Sequence, residues 1–504
     1  MISTYTSNCT EALVNLLASH IQNHPPNDPM AADWIIVNSP SMQRWITHRI
    51  SEVVGISSNR SNGICANIDF PFPASVIEQL LTAANPALPA DHSERWSKEN
   101  LMWAIATTMP AHIDSTPFAS LRGFYDGHGT MTGRQLGLYR ELADLFDRYH
   151  LYRPELIVSW AQPDARQAGL FGRIPETLAW QRILWQALRA QLGPSPTERL
   201  VEAQRFFQNH SAALNTLPNP LRFFGFASLP PAYLKLLATV SASIDIHLYL
   251  LSPTPHYWAE MGASPAQQND ALPNALHPLL ASLGRGQRDL QMGIQTACDG
   301  HELSPTSLFV DPAEQHEPAS LLQQLQSDLL HLVSLPRAAD KAVTLSPNDK
   351  SMQFHACHGP ARQVEVLRDA LLRLLDHSAA QGAPIQPRDI LILTPDIDCF
   401  APIIDAVFSE GADHPQPSGG PGQEGPNWGD SGGPRLPVRI ADRTAAHDNP
   451  FTKALLGLLH LSQSRFAISE VLDFIDLPAV RARFELTSDD MLLIRKWCVD
   501  AGIF

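Results

Sequence analysis

The stretch Trp-Ile-Ile-Val-Asn-Ser-Pro-Ser-Met-Gln-Arg-Trp-Ile, residues 34–46, decides the fold of this chain. Its apolar start predicts a buried parallel strand, its polar middle a short loop, and its end a helix with Ser41 as the N-cap. Strand, loop and helix in this order are the layout of a nucleotide-binding P-loop. The pattern is repeated, with a tight loop bounded by prolines, at residues 63–75. The sequence therefore predicts an α/β domain with a parallel sheet.

The loop at residues 38–40 lacks the chemistry of an ATPase. A P-loop needs glycines to bring backbone N–H groups onto phosphate, a Lys for the β- and γ-phosphates, and a hydroxyl for Mg²⁺. Here Asn38, Ser39 and Pro40 fill the loop, and Pro40 has no N–H to donate. The nearest cation, Arg44, is already a turn into the helix, and no Gly-x-x-x-x-Gly-Lys-Ser/Thr motif occurs in the chain. The predicted strand, loop and helix therefore have the layout of a motor ATPase but lack its catalytic groups.

Length and composition describe an ordinary globular protein of 504 residues, with 44% hydrophobic and 17% charged residues, which predicts two to four domains. No apolar run reaches the roughly 18 residues of a membrane span, and the N-terminus lacks a signal-peptide pattern, so we expect a cytoplasmic protein. The six cysteines are scattered without Cys-x-x-Cys spacing. They are interpreted as reduced core residues.

The net charge of −15 would repel a polyanion, so any contact with DNA is expected to be local and internal. Of the 36 basic residues, six are lysines and thirty are arginines. Arginine suits bidentate contacts with phosphates and bases. The codon usage of a GC-rich genome explains the same bias equally well, and the two explanations stay open.

Hydrophobic periodicity divides the chain into regions. An α/β domain is predicted at residues 1–93 and 211–335, interrupted by a helical insertion at 94–210, with a surface loop or linker region that contains short helices at about 253–318. A polar break at 336–350 predicts a boundary before a second α/β domain, 336–449, with strands at 352–357, 389–394 and 436–441. Residues 411–434, dense in Gly and Pro, are predicted to be a disordered surface insertion. Helices are expected from 450 to 504, where the chain ends as a fragment would.

Five motifs, in chain order, resemble a single family, the gamma subunit of exodeoxyribonuclease V, RecC. Besides residues 34–46 and 63–75 they are Ala-Asp-Leu-Phe-Asp-Arg-Tyr-His-Leu-Tyr-Arg-Pro at 143–154, Phe-His-Ala-Cys-His at 354–358 and Arg-Gln-Val-Glu-Val-Leu at 362–367. The resemblance runs along nearly all of the chain. Because the family is about twice as long, the chain is expected to be its N-terminal half.

The resemblance implies degenerate superfamily 1 helicase-like domains, with parallel sheets flanked by helices and a large helical insertion. It implies no catalytic residue, no metal site and no cofactor in this chain, since ATP and Mg act in partner subunits. Gly225 and Phe226 agree with this, because they stand where a helicase places the Walker B acids. The implied partners are RecB-like and RecD-like subunits of a heterotrimer, duplex DNA ends and single-stranded DNA, and no membrane.

The resemblance also implies that the 3′ strand passes through a tunnel, in which a Chi sequence is read. The family's tunnel positions fall at Asn38, Pro40, Arg44, Phe72, Glu78, Asp144, Leu145, Asp147, Arg148, Arg153 and Arg199. All of these except Pro40 and Glu78 form the predicted DNA-binding set. Well-known members carry Gln, Thr and Gln in place of Asn38, Pro40 and Arg44, and an aromatic residue in place of Glu78. DNA passage is therefore expected to persist while the sequence read differs.

Two of these assignments have competing interpretations. Asp144 and Asp147 can accept from cytosine, and the arginines beside them can donate to guanine. The residues alone favour a solvated helix face, and only the resemblance reverses that preference. Phe72 can stack on a base or pack as a loop aromatic.

Three further clusters are interpreted as structural. Strand alternation sends His355 and Cys357 to one face and His358 to the other, which opposes a zinc site. Arg362 and Glu365 are expected to form a surface ion pair. The acidic pair at 489–490 is expected to cap a helix rather than to hold a nuclease metal. The alternative functions are an ATPase or nuclease in its own right, and an assembly scaffold that never touches DNA.

Overall fold

The computed structural model describes these residues: 1–25, 30–55, 63–89, 92–125, 132–161, 178–214, 217–256, 258, 277–298, 303–314, 318–333, 346–382, 384–409, 436–441, 449–461 and 464–502. They form two compact units, Met1–Met352 and Gln353–Phe504. The predicted insertion at 411–434 lies outside the described residues. No described helix is both long enough and apolar enough to cross a membrane.

The first unit is built on a six-stranded sheet in the order β3-β2-β4-β5-β1-β6, in which every pairing is parallel. The strands are β1 Ile2–Ser7, β2 Asp33–Ile36, β3 Ile68–Asp69, β4 Leu221–Phe224, β5 Ile246–Leu251 and β6 Leu303–Ser307. The predicted α/β class and the parallel sheet are confirmed.

The helices of this unit flank the sheet or form the insertion. They are α1 Thr10–Asn23, α2 Pro40–Ser51, α3 Pro73–Ala84, α4 His92–Arg95, α5 Lys98–Thr108, α6 Gly133–Tyr152, α7 Pro154–Ala161, α8 Ala179–Leu192, α9 Pro196–Phe207, α10 Pro231–Val240, α11 Pro278–Leu283, α12 Arg285–Ala297 and α13 Leu321–Leu330. The predicted unit of two parallel strands joined by one helix is confirmed as β4, α10 and β5.

Both faces of the central strands are buried, which explains why residues 34–37 read as a continuous apolar run. Ile36 belongs to the core beneath α3, α9 and α10. Ile35 and Val37 belong to the opposite core, which packs against α1 and α2. The alternation of side chains across a strand thus places successive residues in two different cores.

The helix after β2 begins earlier than predicted. Its N-cap is Ser39, not Ser41, and the Ser39 hydroxyl accepts a hydrogen bond from the backbone N–H of Met42 at 3.2 Å. Pro40 is the first helical residue, a position that tolerates proline because the N–H there would have no partner within the helix. The prediction was wrong because Pro40 was treated as part of the loop.

The edge strand β6 lies in the region predicted to be loop or linker. Its sequence, Leu-Ser-Pro-Thr-Ser, has no strand periodicity and contains Pro305. Proline is tolerated on an edge strand, where a missing N–H costs no ladder hydrogen bond on the open side. β6 pairs in parallel with β1, so the prediction for these residues was wrong.

The helical insertion has a core of its own, assembled from α5 to α8 and from the described residues between α5 and α6. Trp160 and Trp185 are fully buried in it. The last helix of the predicted insertion, α9, packs in a different core. Its residues Leu200, Ala203 and Phe207 are buried in the core of the sheet. α9 therefore joins the insertion to the sheet.

In the second unit the described helices are α14 Gly359–Ala380, α15 Ile397–Ser409, α16 Pro450–Leu461, α17 Ile468–Ile475, α18 Pro478–Arg483 and α19 Ser488–Asp500. The predicted C-terminal helices are present. The three segments predicted as strands, 352–357, 389–394 and 436–441, have no strand assignment. Leu391 and Leu393 are 80% and 83% exposed, so one side of the second segment is uncovered. A strand needs a hydrogen-bonded neighbour, and none of the described residues supplies one here.

A buried ion pair joins the neighbouring strands β2 and β4 near their amino-terminal ends. The Arg222 guanidinium, 1% exposed, donates to Asp33 Oδ1 at 2.7 Å. Both residues occupy the face that carries Ile35 and Phe224, since each is two residues away from one of them on its own strand. A charge at this depth is tolerable only because its partner is buried with it.

We expect Asp33→Ala to lower the free energy of unfolding by about 3–5 kcal/mol, because it leaves the Arg222 charge buried and unpaired. Lys235→Ala is the matched control, since it breaks an ion pair with Glu155 in which both side chains are nearly half exposed. Urea unfolding measures both. A loss for Asp33→Ala no larger than that for the control would contradict this account.

The pH dependence of stability should reflect His150, which is buried in the insertion. Burial lowers the pKa of its imidazole to about 3, and its Nε2 accepts a hydrogen bond from Trp185 at 3.0 Å. His247 behaves similarly, with its pKa lowered by burial to about 4. Between these values and the pKa of about 6.5 in the unfolded chain, the unfolded state binds more protons. Stability should therefore fall as pH falls below about 6.5.

We expect His150→Gln to reduce this pH dependence, because the amide oxygen can still accept from Trp185 but cannot be protonated. The slope removed should approach about 1.4 kcal/mol per pH unit between pH 6 and pH 4. Urea unfolding of both proteins over this range measures it. Parallel profiles for wild type and variant would show that His150 does not carry the effect.

Candidate nucleic-acid interface

The predicted DNA-binding residues nearest the sheet lie at the carboxyl ends of its strands. Asn38 follows β2, and Phe72 follows β3 as the N-cap of α3. The backbone N–H of Val37 donates to the carbonyl of Pro71 at 3.3 Å, so the two loops run side by side. This edge is where open α/β sheets bind ligands.

The loop after β4 lies at the same edge of the sheet and packs against α2. Gly225 has φ +74°, and a Cβ there would lie 3.2 Å from the Met42 Cε, so a side chain at this point would crowd the first turn of α2. Phe226 is 4% exposed and packs in the sheet core. Neither residue can hold Mg²⁺, which needs oxygen ligands.

Three of the predicted residues on this edge are open to solvent. Asn38 and Arg44 are exposed, and Phe72 is 46% exposed. The Phe72 carbonyl accepts from the N–H groups of Ser75 and Val76, which fixes the backbone while the ring stays largely uncovered. Within the part of the chain that the structure describes, the Arg44 guanidinium makes no ion pair. A phosphate or a base edge can therefore reach the side chains of Phe72 and Arg44.

Arg199 is in a different state, because it is 6% exposed and its guanidinium is already engaged. It holds the Glu78 carboxylate with two hydrogen bonds, of 2.8 and 3.2 Å, and also donates to the Ser93 hydroxyl. Glu78 is the position where the resemblance leads us to expect an aromatic residue. For Arg199 to contact DNA, this ion pair would have to open.

The acidic residues of α6 form a network that the sequence did not indicate. Lys98 Nζ donates to Asp144 at 2.7 Å and lies 3.4 Å from Asp147, while Arg148 lies 2.9 Å from Asp144. The hydrogen bond from Lys98 lowers the pKa of the Asp144 carboxyl, whereas burial raises the pKa of Asp147. These side chains satisfy one another in the structure, and contact with bases stays a prediction.

The two remaining predicted residues of the insertion differ in exposure. Leu145 is partly buried and packs against the core of the insertion. Arg153 is the C-cap of α6 and is exposed, and no ion pair engages its side chain among the described residues. Arg153 is thus open to an anion, as Arg44 is.

Tyr233, in the first turns of α10, shows that the sheet edge and the insertion meet. Burial raises the pKa of its hydroxyl to about 12, with the carboxylates of Asp147 and Glu78 and the hydroxyl of Tyr152 acting in the same direction. A second link is the ion pair from Lys235 on α10 to Glu155 on α7, at 2.9 Å. α6 packs against α10, and the carboxylates of Glu78 on α3 and Asp147 on α6 both act on Tyr233, so the three helices lie near one another.

Sequence reasoning missed Lys98, Ser93 and Tyr233. Lys98 lies 46 residues from Asp144, and Arg199 lies 121 residues from Glu78. No spacing rule for helices or strands connects residues so far apart.

Outside this region, two predictions are confirmed. Arg362 and Glu365 form an exposed ion pair at 2.7 Å. Thr487 caps α19, and its hydroxyl accepts from the backbone N–H of Asp490 at 3.2 Å, so the acidic pair belongs to a helix start. In the described ranges, no group of three or more His, Cys, Asp or Glu side chains is placed to hold a metal ion.

Comparison with known proteins settles the family. The family described as "RecC, N-terminal domain" matches residues 2–332, and "RecBCD enzyme subunit RecC fourth domain" matches residues 448–504. The first match alone covers well over half of the chain. This chain belongs to the RecC family. The predicted resemblance is confirmed.

Curated relatives named "RecBCD enzyme subunit RecC" agree with this assignment. Those of Haemophilus influenzae and Escherichia coli K12 are each 30% identical over 100% of this chain, which covers 46% and 45% of their lengths. That of Mycobacterium tuberculosis is 32% identical over 95% of this chain and 41% of its own length. The chain thus spans less than half the length of these RecC relatives.

We expect this chain neither to bind nor to hydrolyse ATP. Pro40 and Ser39 occupy the phosphate loop, no Lys follows them, and Gly225 and Phe226 cannot hold the metal. Isothermal titration with ATP and Mg²⁺, together with a phosphate-release assay, measures both properties. Saturable binding at micromolar affinity would contradict the expectation.

Proposed function

We propose that this chain is the non-catalytic DNA-binding part of a RecC subunit in the exodeoxyribonuclease V (RecBCD) helicase–nuclease complex. In this proposal it guides the 3′ single strand and recognises a Chi-like sequence during double-strand-break repair by homologous recombination. Its partners are RecB-like and RecD-like subunits, in which ATP and Mg act, together with duplex ends and single-stranded DNA.

The observation that carries the proposal is the set of open side chains at the carboxyl edge of the sheet. Arg44 offers a guanidinium that no described carboxylate engages, Asn38 an amide, and Phe72 an exposed ring. Guanidinium and amide groups are the commonest donors to phosphates and base edges, and exposed aromatic rings stack on unpaired bases. Arg153 adds a second open cation where α6 ends beside α10.

The acidity of the chain fits such a site. With a net charge of −15, the outer surface repels DNA, and binding depends on local clusters of open cations. In the insertion, Asp144 and Asp147 are neutralised by Lys98 and Arg148. Glu78 is neutralised by Arg199. A strand passing this region therefore meets little uncompensated negative charge.

The rival proposal is an active ATPase or nuclease. Pro40 and Ser39 in the phosphate loop, and Gly225 and Phe226 at the metal-holding position, oppose it. A scaffold that never touches DNA is opposed by the exposure of Phe72 and Arg44, which serve no described packing or ion pair.

We expect Arg44→Gln, in the full-length subunit assembled with its partners, to leave unwinding nearly intact but to change the response to Chi-like sequences. One base contact contributes only about 1–3 kcal/mol. Phe72→Ala should weaken the pause at every recognised sequence, because stacking helps to hold any base. Cleavage mapping on end-labelled duplexes that carry candidate octamers measures both effects.

Arg49→Gln is the matched control for this experiment. Arg49 lies on the same helix, about 140° around its axis from Arg44, and its guanidinium is 3.0 Å from Glu52. It should behave as wild type. If Arg44→Gln and Phe72→Ala also match wild type on every octamer, these positions do not contact the strand and the proposal fails.

A further inference from the structure

Tyr152 is a large aromatic residue that the structure leaves uncovered. It is the last residue of α6 and is 56% exposed. Tyr149, one turn earlier, packs against the core of the insertion, whereas Tyr152 belongs to none of the hydrophobic clusters formed by described residues. Packing therefore does not explain why a tyrosine stands here.

Tyr152 is the last residue of α6, a helix that packs against α9 and α10. The carbonyl of His150 accepts from the hydroxyl of Thr197 at 3.1 Å, which fixes the end of α6 against the first turn of α9. Two residues along α9, Arg199 holds Glu78 of α3. The hydroxyl of Tyr152 is close enough to Tyr233 of α10 to influence its ionisation.

The neighbours of Tyr152 suit a nucleic-acid strand. Arg153 follows it directly and carries an open guanidinium. The nearby carboxylates of Asp147 and Glu78 face Lys98 and Arg199, so they present little free negative charge. Phe72, whose ring is also exposed, is the N-cap of the helix that carries Glu78 and stands six positions, or about 9 Å of helix, before it.

We propose that the Tyr152 ring stacks on a base of single-stranded DNA while Arg153 contacts the adjoining phosphate. This inference rests on the proposed function and adds a contact that the predicted set lacks. Every base has a face on which an aromatic ring can stack, so the contact is independent of sequence. Tyr152 thus holds the strand, and residues that reach base edges read it.

The test is binding of fluorescein-labelled oligo(dT) by this chain, measured by fluorescence anisotropy over a series of salt concentrations. Tyr152→Ala should weaken binding roughly fivefold or more with an unchanged salt slope, because stacking releases no counterion. Arg153→Gln should lower that slope by about one. Tyr152→Phe should bind as wild type, since the ring is kept. Thermal melting followed by circular dichroism establishes that each variant is folded.

Trp103→Ala is the matched control. Trp103 is 53% exposed and lies on α5, about 140° around the helix axis from the network residue Lys98. It should bind as wild type. If Trp103→Ala weakens binding as much as Tyr152→Ala, the effect is not specific and the proposal is overturned.

The remaining outcomes separate this inference from the proposed function. If Arg44→Gln and Phe72→Ala weaken binding but Tyr152→Ala does not, the stacking role is overturned and the proposed function stands. If Tyr152→Phe loses as much as Tyr152→Ala, the hydroxyl rather than the ring makes the contact, which also overturns stacking. If wild type does not bind oligo(dT), the stacking inference fails, whereas the proposed function is decided by the cleavage mapping with the assembled full-length subunit.

Discussion

The buried pairing of β2 with β4 is the constraint on which the rest of the first unit depends. Ile35 and Ile36 pair with Arg222 and Phe223, and the ion pair between Asp33 and Arg222 fixes the same two strands at their amino-terminal ends. A shift of one residue would bury an unpaired charge and move each apolar side chain to the wrong core. The register of these strands therefore sets where their carboxyl ends, and the loops that follow them, come to lie.

The site at those carboxyl ends has the geometry of a nucleotide site and a different chemistry. Ser39 and Pro40 start α2 efficiently, since one caps the helix and the other needs no hydrogen bond. The same two residues leave no glycine-lined cradle for phosphate. The positive φ of Gly225 and its close approach to Met42 are requirements of packing rather than of metal binding. The scaffold thus keeps an open edge without the groups that hold a nucleotide phosphate.

Ion pairs across the helical insertion determine which charges are available at this edge. Lys98 and Arg148 engage Asp144, and Glu78 engages Arg199, so five charged residues of the predicted set or beside it are occupied within the protein. Arg44 and Arg153 are the predicted cations that no described residue engages. Glu78, where the family resemblance leads us to expect an aromatic residue, pairs with Arg199, which forms a buried link between α3 and α9.

The sequence by itself determined the parallel α/β class, the order of most helices and strands in the first unit, and the family. Apolar runs and helical periodicity are local signals, and the motifs at 34–46 and 143–154 carry the resemblance directly. Prediction from the sequence failed where a strand depends on neighbours that are distant in the chain. β6 lacks a strand pattern because an edge strand can contain Pro305, and the segments at 389–394 and 436–441 have strand patterns without the neighbours that a sheet requires.

Only the tertiary structure decided which predicted site residues are open and which are engaged. Exposure and ion pairing depend on residues that are distant in the chain, as Lys98 is from Asp144 and Glu78 from Arg199, and no periodicity encodes those distances. The exposure of Tyr152 also depends on the folded chain, because nothing in the sequence shows that its ring is left uncovered at the end of α6. Local pattern fixes the elements, because backbone hydrogen bonding and side-chain alternation act over a few residues. The site is fixed by packing between elements, which only the folded chain defines.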